Sequence, residues 1–390
     1  MDRLSRLSPR LLQGVLAIYL LSIAGHALAP IFHGGLKEID FLAFWAAGRL
    51  ALEGQATAAF DWRSLAATFE AEIGPVDFAY GWFYPPTMQL LMMPFAAMPF
   101  FVAYTLWVGV TLAAFAGGLW RLFGERQIVW LVLAAPVVWA NIKLGQTGMF
   151  IAAAMILGFC LRRQSSWMAG LCFALISVKP HMGVLLPSVF LVSGWYRLFA
   201  ATAFWVLVWA LAAFAVLGAE PWLLFFDGLR NAAGEALATG LLKTQFMITP
   251  FAFALGSGAT LEMATTLQLC WVALVVLATI GIWRKPLARD LKLAWVFAAA
   301  ATLSPYAYIY DATLAATASL LLLRHSATGG HHDQDRALAL HALFHAMPFL
   351  LLLVPPGVGM APAFLGVLAL IGHLLVHLRK DMATVRLKPV

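Results

Sequence analysis

The sequence predicts an all-α polytopic integral membrane protein, and three observations carry that prediction. Of its 390 residues, 63% are hydrophobic and only 11% are charged, against about 25% charged in a soluble globule. The apolar runs are long and continuous rather than alternating, which argues for helices over a transmembrane barrel. The basic residues are also asymmetric. With the N-terminus inside and the apolar runs threaded alternately, 18 of the 25 Lys and Arg fall on the cytoplasmic side. Only Lys37, Arg49, Arg63, Lys143, Lys179, Arg230 and Lys243 fall outside. That is the positive-inside bias. It turns the net charge of +7 toward anionic lipid headgroups, with no nucleic-acid partner expected.

The threading gives about twelve spans: 11–30, 84–120, 127–142, 147–161, 164–179, 181–195, 197–218, 262–283, 291–307, 308–323, 337–354 and 361–378. Residues 11–30 read as a first membrane helix because many others follow, although Ala27-Leu28-Ala29 has the small-residue pattern of a cleavage site. Residues 84–120 are long for one crossing, and Pro94 and Pro99 divide them into a short entering segment and a full span. A hydrocarbon core of about 30 Å needs about 20 helical residues. Segments of 15 or 16 must therefore extend into their flanks or sit deep in a bundle.

The whole chain, 1–390, reads as one transmembrane domain with two large extracytoplasmic loops, 31–83 and 219–261. In the first, Phe41, Phe44, Trp45, Gly48 and Leu52 share one helical face, the pattern of a helix lying in the membrane interface. A second such helix is expected from Asp61 to Glu72, with Asp61 as its cap. Cys160, Cys172 and Cys270 fall inside apolar runs, without metal or disulfide spacing. His331-His332 with Asp333 and Asp335 reads as a solvated cytoplasmic linker rather than a metal tract. No cofactor and no metal are expected.

Charges inside apolar stretches are costly, at roughly 2.5–3.5 kcal/mol each, and are functional suspects. Lys143 is alone in 127–161, Lys179 in 164–196 and Asp311 in 293–323. The threading puts all three at the outer face, with Asp40 and Tyr84-Pro85-Pro86. Asp40 either caps the helix that follows it or serves as a base, and the two roles are compatible. The lysines are either interfacial anchors or phosphate ligands. An outer-face carboxylate can deprotonate a hydroxyl, a lysine can neutralise a phosphate, and Phe41, Trp45, Trp82 and Tyr84 can stack on sugars. This set suits sugar transfer from a lipid-linked phosphate. Neither GxGxxG nor a P-loop is present, so a nucleotide-sugar donor has no support.

DFLAFWAAGRLALEG, then FDW and YGWFYPP, resembles the opening of glycosyltransferase family 87, the DUF2029 group. NIKLGQTGMFIAAAMILGF with RRQSSWMAGLCFALISVKPHMGVLLP resembles that family's central block, and LSPYAYIYDATL its late segment. The likeness covers roughly residues 10 to 325. It implies a GT-C type helical bundle at the plasma (inner) membrane, with both termini cytoplasmic and the active site extracytoplasmic. It implies a hexosyltransferase, mannosyltransferase-like, that uses a polyprenyl-phosphate sugar as donor and a lipid or glycan as acceptor, with inversion. The acid after the first membrane helix is then the catalytic base, here Asp40. Lys179, with Lys143, His181 or Arg49, would meet the donor phosphate. Gln146, Asn141, Tyr84, Tyr308, Asp311 and Trp45 would contact sugar or acceptor. Some members carry a His-His-Tyr-like element where this chain has Tyr306, Tyr308 and Asp311. The alternatives are a lipid or oligosaccharide transporter or flippase, which calls for midplane polar groups and two related halves, a ligase using lipid-diphosphate donors, and a noncatalytic assembly subunit.

Overall fold

The computed structural model describes residues 13–21, 24, 39–75, 81–238, 244–326, 331–350 and 362–386. Among them every regular element is helical, and the one β-contact is an isolated bridge between Met247 and Tyr308. Residues 13–21 form α1. In chain order there follow α2 (Phe41–Leu52), α3 (Trp62–Ile73), α4 (Pro86–Ala96), α5 (Phe100–Phe123), α6 (Arg126–Leu133), α7 (Pro136–Leu144), α8 (Gly148–Leu161) and α9 (Ser166–Leu175). The second half holds α10 (Leu185–Val192), α11 (Tyr196–Leu217), α12 (Glu220–Ala238), α13 (Pro250–Gly256), α14 (Leu261–Trp283), α15 (Arg289–Ala300), α16 (Thr313–Ser326), α17 (His331–Leu350) and α18 (Pro362–Arg386).

The helices sort by length and exposure into a sheath and a core. Among the described residues, α5, α11 and α14 are long and apolar enough to cross a membrane, and the bent pair α7–α8 makes a fourth if taken as one span. Leu207, Leu211 and Phe214 of α11 and Leu267, Leu274 and Leu277 of α14 are exposed, as side chains facing lipid would be. Inside lie shorter helices. α15 and α16, at 12 and 14 residues, pack along each other and are buried almost throughout. Their length is below a full crossing, and the surrounding helices supply what they lack.

Small residues set the closest approaches. A Cβ on Gly48 would lie 2.8 Å from the backbone of Met92, which brings α2 and α4 together. The short apolar helices need such contacts, because in lipid it is close packing that holds helices together.

Two expectations are corrected, for α2 and for the His331-His332 tract. α2 is not a one-sided interfacial helix. Ten of its twelve residues are buried, and Leu52, assigned to the apolar face, is exposed with Arg49. The alanines at 43, 46, 47 and 51 carry too little hydrophobicity to mark a face, yet they let neighbours close in around the helix. Within the second expected loop, residues 220–238 form α12. The His331-His332 tract begins α17 rather than linking helices. The cleavage-like Ala27-Leu28-Ala29, Lys37 and Lys243 lie outside the described residues.

Candidate active site

Asp40 stands at the N-cap position of α2, but its side chain makes no capping bond. Its Oδ2 instead accepts a 2.8 Å hydrogen bond from Gln146 Nε2. The capping role goes elsewhere in the loop: Asp61 accepts from the Ser64 N–H at 3.0 Å and caps α3.

Gln146 sits in the break between α7 and α8, which meet at a 119° bend. Two glycines make the break. Gly145 has φ +65°, a left-handed conformation, and a Cβ there would lie 2.6 Å from that of Phe41. A Cβ on Gly148 would collide with the Tyr310 carbonyl oxygen. The carbonyls freed at the end of α7 need partners, and α5 supplies them. Tyr104 donates to Ile142 O at 2.6 Å, and Trp107 Nε1 to Gly145 O at 2.9 Å. Gln146 Oε1 accepts from the Thr147 N–H at 3.1 Å, which turns its amide nitrogen toward Asp40.

Asn141 ties this break to the late segment. Its Nδ2 lies 2.9 Å from Val137 O, Tyr310 O and Thr313 Oγ1, and its Oδ1 accepts from the Met149 N–H at 3.2 Å. That late segment follows α15, where Gln268 of α14 donates to the carbonyls of Thr302 and Leu303 at 2.9 and 3.0 Å.

Lys179 occupies a second break, between α9 and α10. Pro180 follows it, and a residue before proline is driven out of helical geometry; Lys179 has φ −135°, ψ 71°. Its Nζ donates to Asp311 Oδ1 at 2.7 Å, with the two side chains only 6% and 1% exposed. Asp311 Oδ2 accepts from the Tyr308 N–H at 3.1 Å. The ammonium lies 4.9 Å from the centre of the Tyr310 ring and 5.9 Å from that of Tyr84, within cation–π range. Tyr310 stacks on Tyr308.

Tyr84 precedes Pro85 and Pro86, and Pro86 opens α4 at a position where a missing N–H is harmless. Its ring packs edge-on against Phe44 at 5.0 Å. The Tyr84 ring sits in the combined field of Lys179, Asp311 and Asp40. Asp40 with Gln146 and Lys179 with Asp311 are thus two bonded pairs that gather around Tyr84, one set drawn from five separate stretches of chain. Asp40 is half-buried at its edge, while Gln146, Lys179 and Asp311 are buried.

The remaining predicted residues are distributed as follows. His181, two residues past Lys179, has its Nε2 sealed from solvent without a hydrogen-bond partner. Lys143 is half-buried in the last turn of α7, three residues before Gln146. Arg49 is not in the set. Nine residues, about two and a half turns, separate it from Asp40, and it pairs with Glu53 at 2.8 Å on an exposed face. Trp45 is buried and its indole N–H donates to Met98 O at 2.9 Å, so it locks α2 to the turn after α4 rather than facing a ligand. Tyr310 was not foreseen, although its place beside Asp311 in YIYD is the signal that names it. Among the described residues no group of three or more His, Cys, Asp or Glu is arranged to hold a metal ion.

The profile of glycosyltransferase family 87 matches residues 82–305, more than half of the chain. Tyr84, Asn141, Gln146, Lys179 and His181 lie within the match, whereas Asp40 and Asp311 flank it and are joined to it by the bonds just described. No curated protein and no solved structure matches the chain.

Proposed function

Because the chain belongs to glycosyltransferase family 87, we propose that it moves a hexose, mannose before others, from a polyprenyl-phosphate sugar to a lipid or glycan acceptor. The reaction takes place at the extracytoplasmic face of the plasma membrane, with inversion at the anomeric carbon. The observation that carries this reading is the gathering of two bonded pairs, Asp40 with Gln146 and Lys179 with Asp311, around Tyr84.

In the proposed step Asp40 accepts the proton of the acceptor hydroxyl. The freed oxygen attacks the anomeric carbon, the bond from that carbon to the phosphate oxygen breaks, and polyprenyl phosphate leaves with the electron pair. Gln146 holds and orients the carboxylate through a bond to Oδ2. Lys179 carries three N–H donors; one serves Asp311 and another serves a phosphate oxygen. His181 lies on the same side, and Lys143 stands behind Gln146. Tyr84 and Tyr308 frame the sugar, Asn141, fully buried and bonded to protein through both amide atoms, holds the break behind them rather than meeting the sugar, and Asp311 holds the ammonium in place. Positioned acid–base groups of this kind supply about 10²–10⁴-fold in rate.

The test supplies purified protein in liposomes with labelled polyprenyl-phosphate mannose, polyprenyl-phosphate glucose and a lipid-diphosphate sugar. Release of lipid phosphate together with label in an acceptor supports the reading. Label that crosses the bilayer with its donor intact would replace it with transport. Turnover of the diphosphate alone would replace the donor class.

A further inference from the structure

The strongest unexplained feature lies at the other end of the same helices. α8 and α10 start at the candidate active site and α15 runs toward it. Their far ends, with the end of α14, enclose a cavity of about 480 Å³. Six cationic side chains line it, Arg162, Arg163, Arg284, Lys285, Arg289 and Lys292, and no carboxylate does. The nearby acids are engaged elsewhere. Asp290 receives two 2.7 Å bonds from Arg324, and Asp381 accepts the Ala288 N–H at 2.7 Å. Among the described residues none of the six cations forms an ion pair.

The cations are held rather than loose. The Arg162 guanidinium lies 3.9 Å from the centre of the Trp195 ring, and Lys292 Nζ donates to Trp283 O at 3.2 Å. Burial, then the charges of Arg163 and Arg289, pull Arg162 below its ordinary value, as expected where like charges gather without a counter-ion. Such a group of cations is stabilised by an anion.

A membrane-facing feature says what kind. Leu267, Cys270, Leu274, Leu277 and Gly281 follow helical i, i+3/i+4 spacing on α14, all are exposed, and the same face ends at Arg284. From 267 to 284 the stripe runs about 25 Å, most of a ~30 Å hydrocarbon core. We propose that this cavity is a binding site for the phosphate headgroup of an anionic phospholipid whose acyl chain lies along the exposed stripe of α14. A free phosphate would use the cations and leave the stripe unused.

The test is native mass spectrometry of the full-length protein with phosphatidylglycerol, cardiolipin, phosphatidylcholine or inorganic pyrophosphate. The expected result is retention of the two anionic lipids over phosphatidylcholine. The exposed pair Arg284→Gln/Lys285→Gln should lower anionic-lipid affinity about 30-fold, each charge contributing about fivefold. The swapped pair Arg284→Lys/Lys285→Arg should restore it, and Arg63→Gln/Arg336→Gln, with the same loss of charge, should leave it unchanged. Thermal unfolding of each variant checks that it is folded. Equal retention of phosphatidylcholine, or unchanged affinity in a folded Arg284→Gln/Lys285→Gln protein, overturns the proposal. Pyrophosphate bound as tightly as cardiolipin overturns the lipid as the occupant.

Discussion

Replacing Asp311 by Asn leaves Lys179 as a buried ammonium without its counter-charge. The two side chains are 6% and 1% exposed and their atoms are 2.7 Å apart, so water cannot substitute for the lost partner. Breaking a buried pair from one side costs about 3–5 kcal/mol. At about 2 °C per kcal/mol for a chain of this size, the melting temperature in detergent should fall by about 6–10 °C. The nearby Tyr84 and Tyr310 rings, at 5.9 and 4.9 Å, offset only a small part. Removing both charges, as Lys179→Met/Asp311→Leu, should recover most of that stability, because apolar replacements of a buried pair are often neutral. Sugar transfer should stay lost in the double variant, since no ammonium remains for the phosphate. Thermal unfolding and donor-dependent lipid-phosphate release, measured on both variants, separate the two effects. An Asp311→Asn protein within 2 °C of wild type would refute the reasoning about burial; transfer at the wild-type rate by Lys179→Met/Asp311→Leu would refute the role of Lys179.

Gly145→Ala forces a side chain into a left-handed turn and against Phe41, and should lower stability by about 1–3 kcal/mol, read as a lower melting temperature with transfer reduced in parallel. Gln146→Leu removes the amide that donates to Asp40 Oδ2 and accepts the Thr147 N–H; turnover should drop about 10-fold or more, with a loss of about 1–3 kcal/mol in stability from the buried groups left unpaired, and Gln146→Glu should lower turnover further because two carboxylates then face each other. Arg49→Gln breaks an exposed i, i+4 pair, so stability should change by under about 0.5 kcal/mol and donor KM should not move; a large rise in KM would return Arg49 to the phosphate site.

The sequence made some of this legible and hid the rest for physical reasons. Lone charges in apolar runs pointed to Lys179 and Asp311, since a charge that is expensive to bury has to have a use, and the two prove to be each other's partner. The gaps between spans 127–142 and 147–161 and between 164–179 and 181–195 coincide with the breaks at 145–147 and at Lys179. What sequence could not give was which side of a helix is covered. In α2, alanines and a glycine outline no hydrophobic face, yet they are what lets Met92 approach Gly48. Trp45 looked like a sugar platform, but whether an indole meets solvent or a carbonyl such as Met98 O depends on packing alone. Helix length misled where short helices are sheltered by others: α15 and α16 have the composition of spans without the length. Arg49 and Lys179 were equivalent cations in the threading; their separation comes from Arg49 having Glu53 one turn away.

The base proposed for sugar transfer is Asp40. Asp40→Asn keeps the shape and can still accept from Gln146, but it cannot take a proton. Purified wild-type and Asp40→Asn proteins, matched for melting temperature, should be compared for turnover of labelled polyprenyl-phosphate mannose. If Asp40 is the base, kcat should fall about 10²-fold or more with KM for the donor little changed. Turnover within twofold of wild type would contradict it.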